Sequence, residues 1–266
     1  MNSLKMFLSI MLIFVGVHSH AAGNCKRSYS LGVAEDQLKR KSSINGKSAL
    51  PGMATELLDE IKKRVNCVFD EVPLSPEKAL VELQNYRLDI FAFSFTNESF
   101  RKVADEQIIY STSRILLVDR KFYKPAWNVQ DYLKSSKIKF GALSISNYWY
   151  SPDELRMLAA ESRIAYSSKI EMNGHMLAKG KVQAIFTSPA FLHRMIEAKD
   201  ILKTSVAIRD PAFRLTVALM LSKKRVSPEE RDQFAKAIEG MRTDGSIEKI
   251  LLHYVPAEDL KTYYKF

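Results

Sequence analysis

The pattern of apolar and polar positions alternates between two periods along most of the chain. Short apolar runs, typical of buried strands, are separated by segments in which apolar residues recur every three or four positions, as they do on one face of a helix. Residues 53–65, for example, place Leu57, Leu58, Ile61 and Val65 on one side of a helix. The alternation predicts a chain built from strands and helices in turn.

This alternation occurs in two successive series. The first series is predicted to contain strands at 29–34, 68–72 and 88–93 and helices at 53–65 and 75–85. The second is predicted to contain strands at 114–118, 138–143 and 182–186 and helices at 129–133, 152–161, 174–179 and 189–198, followed by a strand at 215–221 and a helix at 227–241. Alternating strands and helices favour parallel sheets with right-handed crossovers. Two such series predict two α/β lobes.

The first 22 residues have the pattern of a secretory signal. Lys5 is followed by an uncharged apolar run at 6–17 and then by small residues at 19–22. The run is too short to span a bilayer, and the order of charge, apolar run and small residues is that of a cleaved signal. We therefore expect export to the periplasm, with an N-terminal core helix or a membrane anchor as the alternative. The residues before Cys25 do not resemble a lipoprotein signal.

Composition is that of an ordinary globular chain. Of the 266 residues, 46% are apolar and 26% are charged, and the net charge is +10. The basic residues are scattered with acids between them, and the only dense cluster is at 39–41. Scattered charge indicates a solvated surface, and no nucleic-acid reading motif accompanies it. A basic surface is compatible with an anionic ligand or with contact to anionic headgroups.

The two cysteines each precede a predicted strand. Cys25 lies before the first strand and Cys67 before the second. If these strands are parallel neighbours, both thiols lie at the same edge of the sheet, and an exported chain favours a disulfide between them. Two free thiols are the alternative, and two cysteines alone do not form a closed zinc site.

Six segments in order resemble one family across nearly all of the chain that follows the signal. The segments are GVAED (32–36), NGKSALPGMATELLDEIKKR (45–64), SPEKALVELQNYRLDIFAFSFT (75–96), RKVAD (101–105), MLAKGKVQAIFTSPAFL (176–192) and LMLSKKRVSPEERDQFAKAIEGMRTDGSIEKILLHY (219–254). They are similar to the extracellular solute-binding proteins of family 3, which include the polar amino-acid-binding proteins of ABC importers.

The resemblance implies a two-lobed α/β fold of the periplasmic-binding-protein type II. Each lobe is then a mostly parallel sheet flanked by helices, and two crossing segments form a hinge. We expect lobe I at 23–113 and 217–266, lobe II at 114–216, and crossings near 111–117 and 216–221. A ligand then lies between the lobes, at the carboxyl ends of the strands, and favours the closed state.

The resemblance also implies candidate ligand-binding residues. Arg101 is the candidate for a bidentate clamp on a ligand carboxylate, with a surface arginine as the alternative. Hydroxyl contacts are expected from Ser94 and Thr96, and an apolar wall from Phe93 or Phe95, although some of these strand-end residues belong to the core. On lobe II, the turn at 144–147 is expected to offer backbone and side-chain donors or to act as a helix cap; its candidate residues are Ser146 and Asn147.

The sequence departs from the family pattern at the expected ammonium site. Amino-acid binders usually carry an Asp where this chain has Ser188, and aromatic residues where it has residues 37–40. Without that carboxylate the counter-ion of an α-ammonium group is missing. We therefore hypothesise a ligand that is not a standard α-amino acid, such as an anion or a neutral polar molecule. An amino-acid ligand is the alternative, with Glu35 or Asp36 in place of the missing carboxylate.

Other functional classes are weighed against solute binding. A dehydratase or lyase on the same fold needs a placed acid or base, and only Glu35 and Glu98 are candidates. His175, His193 and His253 are isolated and are read as surface or packed residues. We expect no enzyme activity, no cofactor and no metal. The expected partners are a small polar solute, amino-acid-like or anionic, and an inner-membrane permease or, alternatively, a receptor. The chain is expected to be a monomer without nucleic-acid contacts.

Overall fold

A computed structural model describes residues 25, 27–34, 52–144, 148–168, 170–190, 192 and 201–266. In chain order the elements are β1 (Tyr29–Val33), α1 (Met53–Val65), β2 (Phe69–Pro73), α2 (Pro76–Gln84), β3 (Ile90–Phe95), α3 (Glu98–Val103), β4 (Ala104–Asp119), a 3-10 turn (Arg120–Phe122), α4 (Val129–Lys134), β5 (Phe140–Leu143), α5 (Pro152–Ala160), β6 (Ile164–Ser167), α6 (Ile170–Ala178), β7 (Ala184–Thr187), α7 (Ile201–Thr204), β8 (Ser205–Ser222), α8 (Pro228–Thr243), α9 (Ser246–Leu251), α10 (Ala257–Tyr263) and β9 (Tyr264–Lys265).

Several helices begin at a side-chain cap. Ser75 accepts a hydrogen bond from the backbone of Lys78 at the start of α2. Capping boxes open α5 and α8, where Ser151 pairs with Glu154 and Ser227 with Glu230. Each of these helices also has proline in its first turn, which suits the fixed φ of that residue.

The nine strands of the described residues form one mixed sheet. The strand order is β2-β1-β3-β8-β4-β7-β5-β6, with β9 added beside β4. β1 is parallel to β2 and β3, and β5 is parallel to β6 and β7. β4 and β8 run antiparallel to each other along almost their whole length and join the two parallel groups. The sheet is therefore continuous from one lobe to the other.

Two long strands replace two predicted short ones. β4 covers 104–119 and β8 covers 205–222, whereas the apolar pattern predicted strands only at 114–118 and 215–221. The missed portions contain polar residues, such as Glu106, Gln107 and Arg209, that interrupt the apolar run. Their side chains remain at least partly exposed while the backbone pairs in the sheet. The short strand β6, with three of its four residues partly or fully exposed, was missed for the same reason.

Each lobe has its own core. We use lobe I for the part built on β1–β3, α1–α3 and α8–α10, and lobe II for the part built on α4–α7 and β5–β7. In lobe I, Leu57, Ile61 and Phe234 from α1 and α8 pack against β1 and β3. In lobe II, separate buried clusters cover the two faces of the sheet, one around Phe140 and one around Ile185. Burial on both faces is what a parallel sheet requires.

The predicted disulfide is present. Cys25 and Cys67 are bonded, with their Cα atoms 5.4 Å apart. They precede β1 and β2, which are parallel neighbours paired from Tyr29 and Phe69 onward. The bridge therefore links the two strands at the edge of lobe I. It closes a loop with a sequence separation of 42 residues, which corresponds to about 4 kcal/mol of stabilisation in the chain-entropy model.

Among the described residues, no helix combines the length and the apolar character needed to cross a bilayer.

Candidate functional site

The two lobes meet where β4 and β8 change register. Ser113 faces Arg214, but the next residue, Arg114, faces Asp210. Residues 211–213 of β8 thus have no partner on β4 and bulge from the ladder. A proline at position 211 suits such a bulge, because proline cannot donate to a ladder. The sequence-predicted boundary between residues 113 and 114 falls at this irregularity.

Arg114 is a buried cation at this crossing. Its side chain is 1% exposed and donates to both carboxylate oxygens of Glu154, at 2.8 and 2.6 Å, and to Asp210 at 2.8 Å. It also donates to the backbone carbonyl of Trp149. The guanidinium carbon lies 3.8 and 3.9 Å from the ring centroids of Phe186 and Phe213.

These contacts satisfy a charge that is costly to bury. Two carboxylates supply the counter-charge, and Glu154 is held in place by its own capping box with Ser151. Aromatic faces on both sides add a cation–π attraction. Removing one partner of such a buried cluster typically costs about 3–5 kcal/mol, because the remaining charges stay desolvated. Arg114 was predicted only as the first residue of a strand; a charge directly before an apolar run was the available signal.

The end of β3 contains a second irregularity. Phe93 has φ of 50°, in the left-handed region, and the pairing of β3 with β8 shifts between Phe91 and Ser94. A bulky residue at positive φ is uncommon and is often found at functional sites. The phenyl ring of Phe93 is 7% exposed and belongs to the core of lobe I. The bulge leaves Phe95 at the end of the strand.

Phe95 contacts lobe II directly. Its ring centroid lies 4.9 Å from that of Tyr148 and 5.7 Å from that of Trp149. The contact runs from the end of a lobe I strand to the segment just before α5. Because Arg114 binds the carbonyl of Trp149, the buried cation also positions this segment. Of the two phenylalanines considered for an apolar wall, Phe95 is the one that reaches across.

The C-terminus adds a contact at the crossing. β9 pairs with Ser111 and Thr112 of β4. The ring of Tyr264 lies 5.5 Å from that of Tyr110, and Ala190, which follows β7, packs against the same lobe I cluster. Burial raises the pKa of both tyrosines above their usual range. Both phenols therefore stay neutral at physiological pH.

Several hydroxyl groups are buried near this junction. Ser94 is 4% exposed and Ser188, directly after β7, is 5% exposed. Thr96 donates its backbone N–H to Thr216 at 2.9 Å. Within the described part of the chain, the hydroxyls of Ser113 and Thr187 are buried without a hydrogen-bond partner. Such groups are rare in folded proteins because an unmade hydrogen bond is costly.

Ser113 and Thr187 lie on the same face of the sheet. Thr187 is paired with Ile115 of β4, and Ser113 is two positions before Ile115. Residues opposite each other, and residues two apart on one strand, share a face. Both hydroxyls therefore border the same region, beside the C-terminal end of β7 and Ser188.

Arg101 lies on the surface side of α3. Its side chain is 60% exposed, and its guanidinium is 3.4 Å from Glu106. Glu98 is 82% exposed and pairs with Lys102. Neither side chain is brought to the contact between Phe95 and Tyr148. The role of Arg101 as a carboxylate clamp stays a prediction, and in this structure its partner is a carboxylate of the chain itself.

The remaining candidate residues either lie outside the described part of the chain or are histidines on its surface. Glu35, Asp36, Ser146, Asn147 and His193 lie outside the described residues. His175 is exposed on α6, and His253 lies on the surface with its Nδ1 atom 2.9 Å from Glu56.

A model of the family "bacterial extracellular solute-binding proteins, family 3" matches residues 33–257. The chain belongs to this family, as the sequence resemblance predicted. Comparison of the sequence with curated proteins gives no match.

Solved structures of the same fold include three informative neighbours. One is the probable amino-acid ABC transporter extracellular-binding protein ytmK from Bacillus subtilis, with a TM-score of 0.66 and 18% identity over 87% of this chain and 99% of that chain. A second is AbpA from Streptococcus pneumoniae, an amino acid ABC transporter substrate-binding protein bound to L-arginine, with a TM-score of 0.65 and 17% identity over 86% and 94%. The third is a histidine kinase sensor domain with similarity to periplasmic binding proteins, with a TM-score of 0.66 and 13% identity over 86% and 96%. The predicted periplasmic-binding-protein-like fold is thereby confirmed.

Proposed function

We propose that this protein is a periplasmic solute-binding protein that holds a small polar ligand at the junction of its lobes and performs no chemistry on it. The observation that carries the proposal is the pair of buried, unpartnered hydroxyls, Ser113 and Thr187, on one face of the strands that join the lobes. A polar ligand at this junction supplies the missing hydrogen bonds. Membership in a family of solute-binding proteins supports the same function.

The proposed binding surface combines residues from both lobes. Lobe I contributes Thr96, Ser94 and the aromatic side chains at the end of β3, and lobe II contributes Ser188 with the segment that contains Ser146 and Asn147. Phe93 supports this end of β3 from within the core. Arg101 joins the site only if its guanidinium leaves Glu106. Glu35 remains a candidate from the segment after β1.

Ligand-dependent closure follows from this arrangement. We propose a signal at 1–22, lobe I at 23–113 and 217–266, and lobe II at 114–216, with β4 and β8 as the hinge. A ligand that contacts both lobes stabilises the state in which they approach each other. The contact of Phe95 with Tyr148 and Trp149 supports this proposal, because it joins the end of a lobe I strand to lobe II.

The ligand class is narrowed by the buried residue at position 188. Ser188 is neutral, so it provides no counter-charge for an α-ammonium group. We propose an anionic or neutral polar ligand rather than a standard α-amino acid. The structural neighbours show the fold and do not decide this point.

Two partners fit the same function. The family and the importer proteins among its neighbours favour an ABC-type permease. The sensor domain of a histidine kinase, with the same fold, favours a receptor as the second candidate. Deleting the gene of this protein and measuring both solute uptake and transcription of ligand-responsive genes separates these roles: loss of uptake supports a permease partner, and loss of the transcriptional response supports a receptor.

Calorimetric titration with a panel of amino acids, organic anions and neutral polar solutes tests the ligand class. We expect no standard α-amino acid to bind tightly to the wild-type protein. Ser188→Asp is expected to restore at least about tenfold tighter binding of one or more amino acids, because it introduces the missing counter-ion. Native mass spectrometry of protein purified without refolding identifies any co-purified ligand. Tight wild-type binding of a common amino acid contradicts the proposed ligand class, and failure of every solute in both measurements contradicts the proposed function.

A further inference from the structure

The end of lobe II that lies farthest from the junction carries an exposed group of lysines. These are contributed by the loop after β4, by α4 and the loop that follows it, and by the turn after α6. We name them the lysine face: Lys121, Lys124, Lys134, Lys137, Lys139, Lys179 and Lys181. All seven are exposed.

Sheet register places these segments at one end of the lobe. The last residue of β4, Asp119, faces the first residue of β8, Ser205. The first residue of β7, Ala184, faces both Val118 of β4 and Phe140, the first residue of β5. The loops that carry the lysines adjoin these strand termini, whereas the opposite ends of β5 and β7 lead toward the junction. The lysine face therefore lies away from the proposed ligand site.

The described acids near the lysine face do not pair with its lysines. Within the described residues, none of its seven ammonium groups forms an ion pair with a carboxylate. The three acids nearby are used locally: Asp119 accepts from the backbone of Lys121, Asp131 from that of Asn128, and Glu161 pairs with Arg163. Among the described residues these three carboxylates offset only part of the charge of the seven lysines, so this end keeps a positive excess.

The excess charge of the whole protein is concentrated in the same part of the chain. Residues 114–216 contain seventeen Lys and Arg against nine Asp and Glu, a net charge of +8. Residues 23–113 and 217–266 together contain twenty-two against twenty-one, a net charge of +1. Along the sequence these residues are scattered, and only the fold brings those of the lysine face together.

Aromatic side chains accompany the lysines. Trp127 lies between them, with the ammonium group of Lys124 3.8 Å from its ring centroid, and Tyr123 is 36% exposed. A depression of about 430 Å³ is lined by Lys124, Trp127, Lys134 and Lys137 together with Asp131, Ser135 and Ser136, so three lysines accompany one carboxylate there. Lysine together with tryptophan and tyrosine is typical of surfaces that rest on a bilayer, where the rings occupy the headgroup region and long stems keep the charges in water.

We propose that the lysine face binds the anionic headgroups of a phospholipid bilayer. The lysine ammonium group is a compact charge on a flexible stem, which suits attraction to a layer of mobile phosphates. Arginine, by contrast, suits bidentate binding of a fixed carboxylate. Binding in this orientation places lobe II against the membrane and leaves the junction of the lobes accessible. The inference goes beyond the proposed function, since it does not depend on any ligand.

Vesicle sedimentation with the full-length exported chain tests the proposal. The vesicles contain phosphatidylglycerol and phosphatidylcholine in equal parts, or phosphatidylcholine alone. The test variant is K121Q/K124Q/K134Q/K137Q, and the matched control is K78Q/K224Q/K249Q/K261Q, which removes the same charge from exposed positions of lobe I. Each lysine near an anionic surface strengthens binding about fivefold, so the loss of four is expected to weaken binding of the test variant to phosphatidylglycerol vesicles by several hundredfold, on the order of 100- to 1,000-fold.

The expected result is binding of the wild-type protein to anionic vesicles only, weakened by salt, with the control variant losing less than about tenfold. Equal losses in the two variants overturn the proposal, because net charge alone then accounts for binding. Binding to phosphatidylcholine vesicles that matches binding to anionic ones also overturns it. Absence of vesicle binding together with lysine-face-dependent binding of polyglutamate assigns the surface to an acidic protein instead. Ligand titration of the test variant, expected to match wild type, keeps this outcome separate from the proposed solute binding.

Discussion

The two lobes differ in how their basic side chains are paired with carboxylates. On lobe I most basic side chains have a carboxylate partner, as in the pairs Lys62–Glu71, Arg64–Asp244 and Arg231–Asp105. Lobe II also has such pairs, Arg156–Asp153 and Arg163–Glu161, but it adds two features that lobe I lacks among the described residues: Arg114 buried between two carboxylates, and the lysine face, whose seven lysines have no carboxylate partner there. Surface pairs contribute little to stability but cancel the long-range field. Lobe I is therefore nearly neutral to a distant partner, whereas lobe II is not.

Removing the buried charge at the hinge is expected to have the largest effect. Arg114→Ala leaves Glu154 and Asp210 without a counter-ion and deletes the contacts with Phe186 and Phe213. We expect a loss of about 3–5 kcal/mol in the free energy of unfolding, measured by urea denaturation. Lys102→Ala, which breaks the exposed pair with Glu98 on lobe I, is the control and is expected to change stability by less than about 0.5 kcal/mol.

A triple variant sharpens this result. R114M/E154Q/D210N removes all three charges together, so no buried ion is left unpaired. If it is as unstable as Arg114→Ala alone, the effect comes from lost packing rather than from uncompensated charge, and the electrostatic explanation is wrong.

Removing the disulfide of lobe I is expected to have the second-largest effect on stability. C25S/C67S opens the link between the segments before β1 and β2. We expect a loss of about 2–4 kcal/mol, seen as a lower unfolding temperature, with the same shift in the wild-type protein after reduction. A reductant-induced shift in the C25S/C67S variant itself contradicts this assignment, because that variant has no other cysteine.

Asp89 gives lobe I a specific pH dependence. Burial opposes its ionisation, but hydrogen bonds from Arg27, Arg225 and Ser30 outweigh burial and hold the pKa of Asp89 well below its usual range. A lowered folded-state pKa contributes stability above the unfolded value near pH 4, and this is lost as the pH falls toward the folded value. Asp89→Asn is expected to cost about 2–3 kcal/mol at pH 7 and to flatten the decline of stability below about pH 4.

The exposed pair of Glu82 with Arg87 provides the matched comparison for Asp89. Arg87 also lowers the pKa of Glu82, but both side chains are on the surface of lobe I. Glu82→Gln is expected to leave both the stability at pH 7 and the pH profile unchanged in denaturant titrations. An equal effect of the two substitutions means that burial is not what makes the interaction of Asp89 strong.

Local patterns predicted the elements of lobe I and the binding fold well. α1 has the predicted bounds, 53–65, because one face is consistently apolar and the two ends are marked by changes in pattern. The disulfide was predicted because the order of strands around Cys25 and Cys67 is a local property. Both features depend on residues that are near each other in sequence or in adjacent elements.

Features that depend on distant pairing were missed. β4 and β8 are held as long strands by each other's backbone, so polar residues such as Glu106 and Arg209 do not end them. The cluster of Arg114 joins residues 40 and 96 positions apart, which no periodicity reveals. The lysine face, likewise, is scattered in sequence and is assembled only by the register of β4, β5 and β7. The candidate ligand residues Ser94, Thr96 and Ser188 were placed by resemblance, and their roles stay predictions.

Removing lysines from the lysine face is expected to have the smallest effect on stability. K121Q/K124Q/K134Q/K137Q removes four exposed lysines that form no ion pair with a described residue, so no desolvated carboxylate is left behind and only the contact of Lys124 with Trp127 is lost. We expect the free energy of unfolding to change by less than about 1 kcal/mol and in the stabilising direction, because like charges on one face repel each other. The gain should shrink as salt is added, which thermal unfolding at low and high ionic strength measures. A marked loss of stability shows instead that these lysines support the packing of lobe II, and that the contrast between the lobes is structural as well as electrostatic.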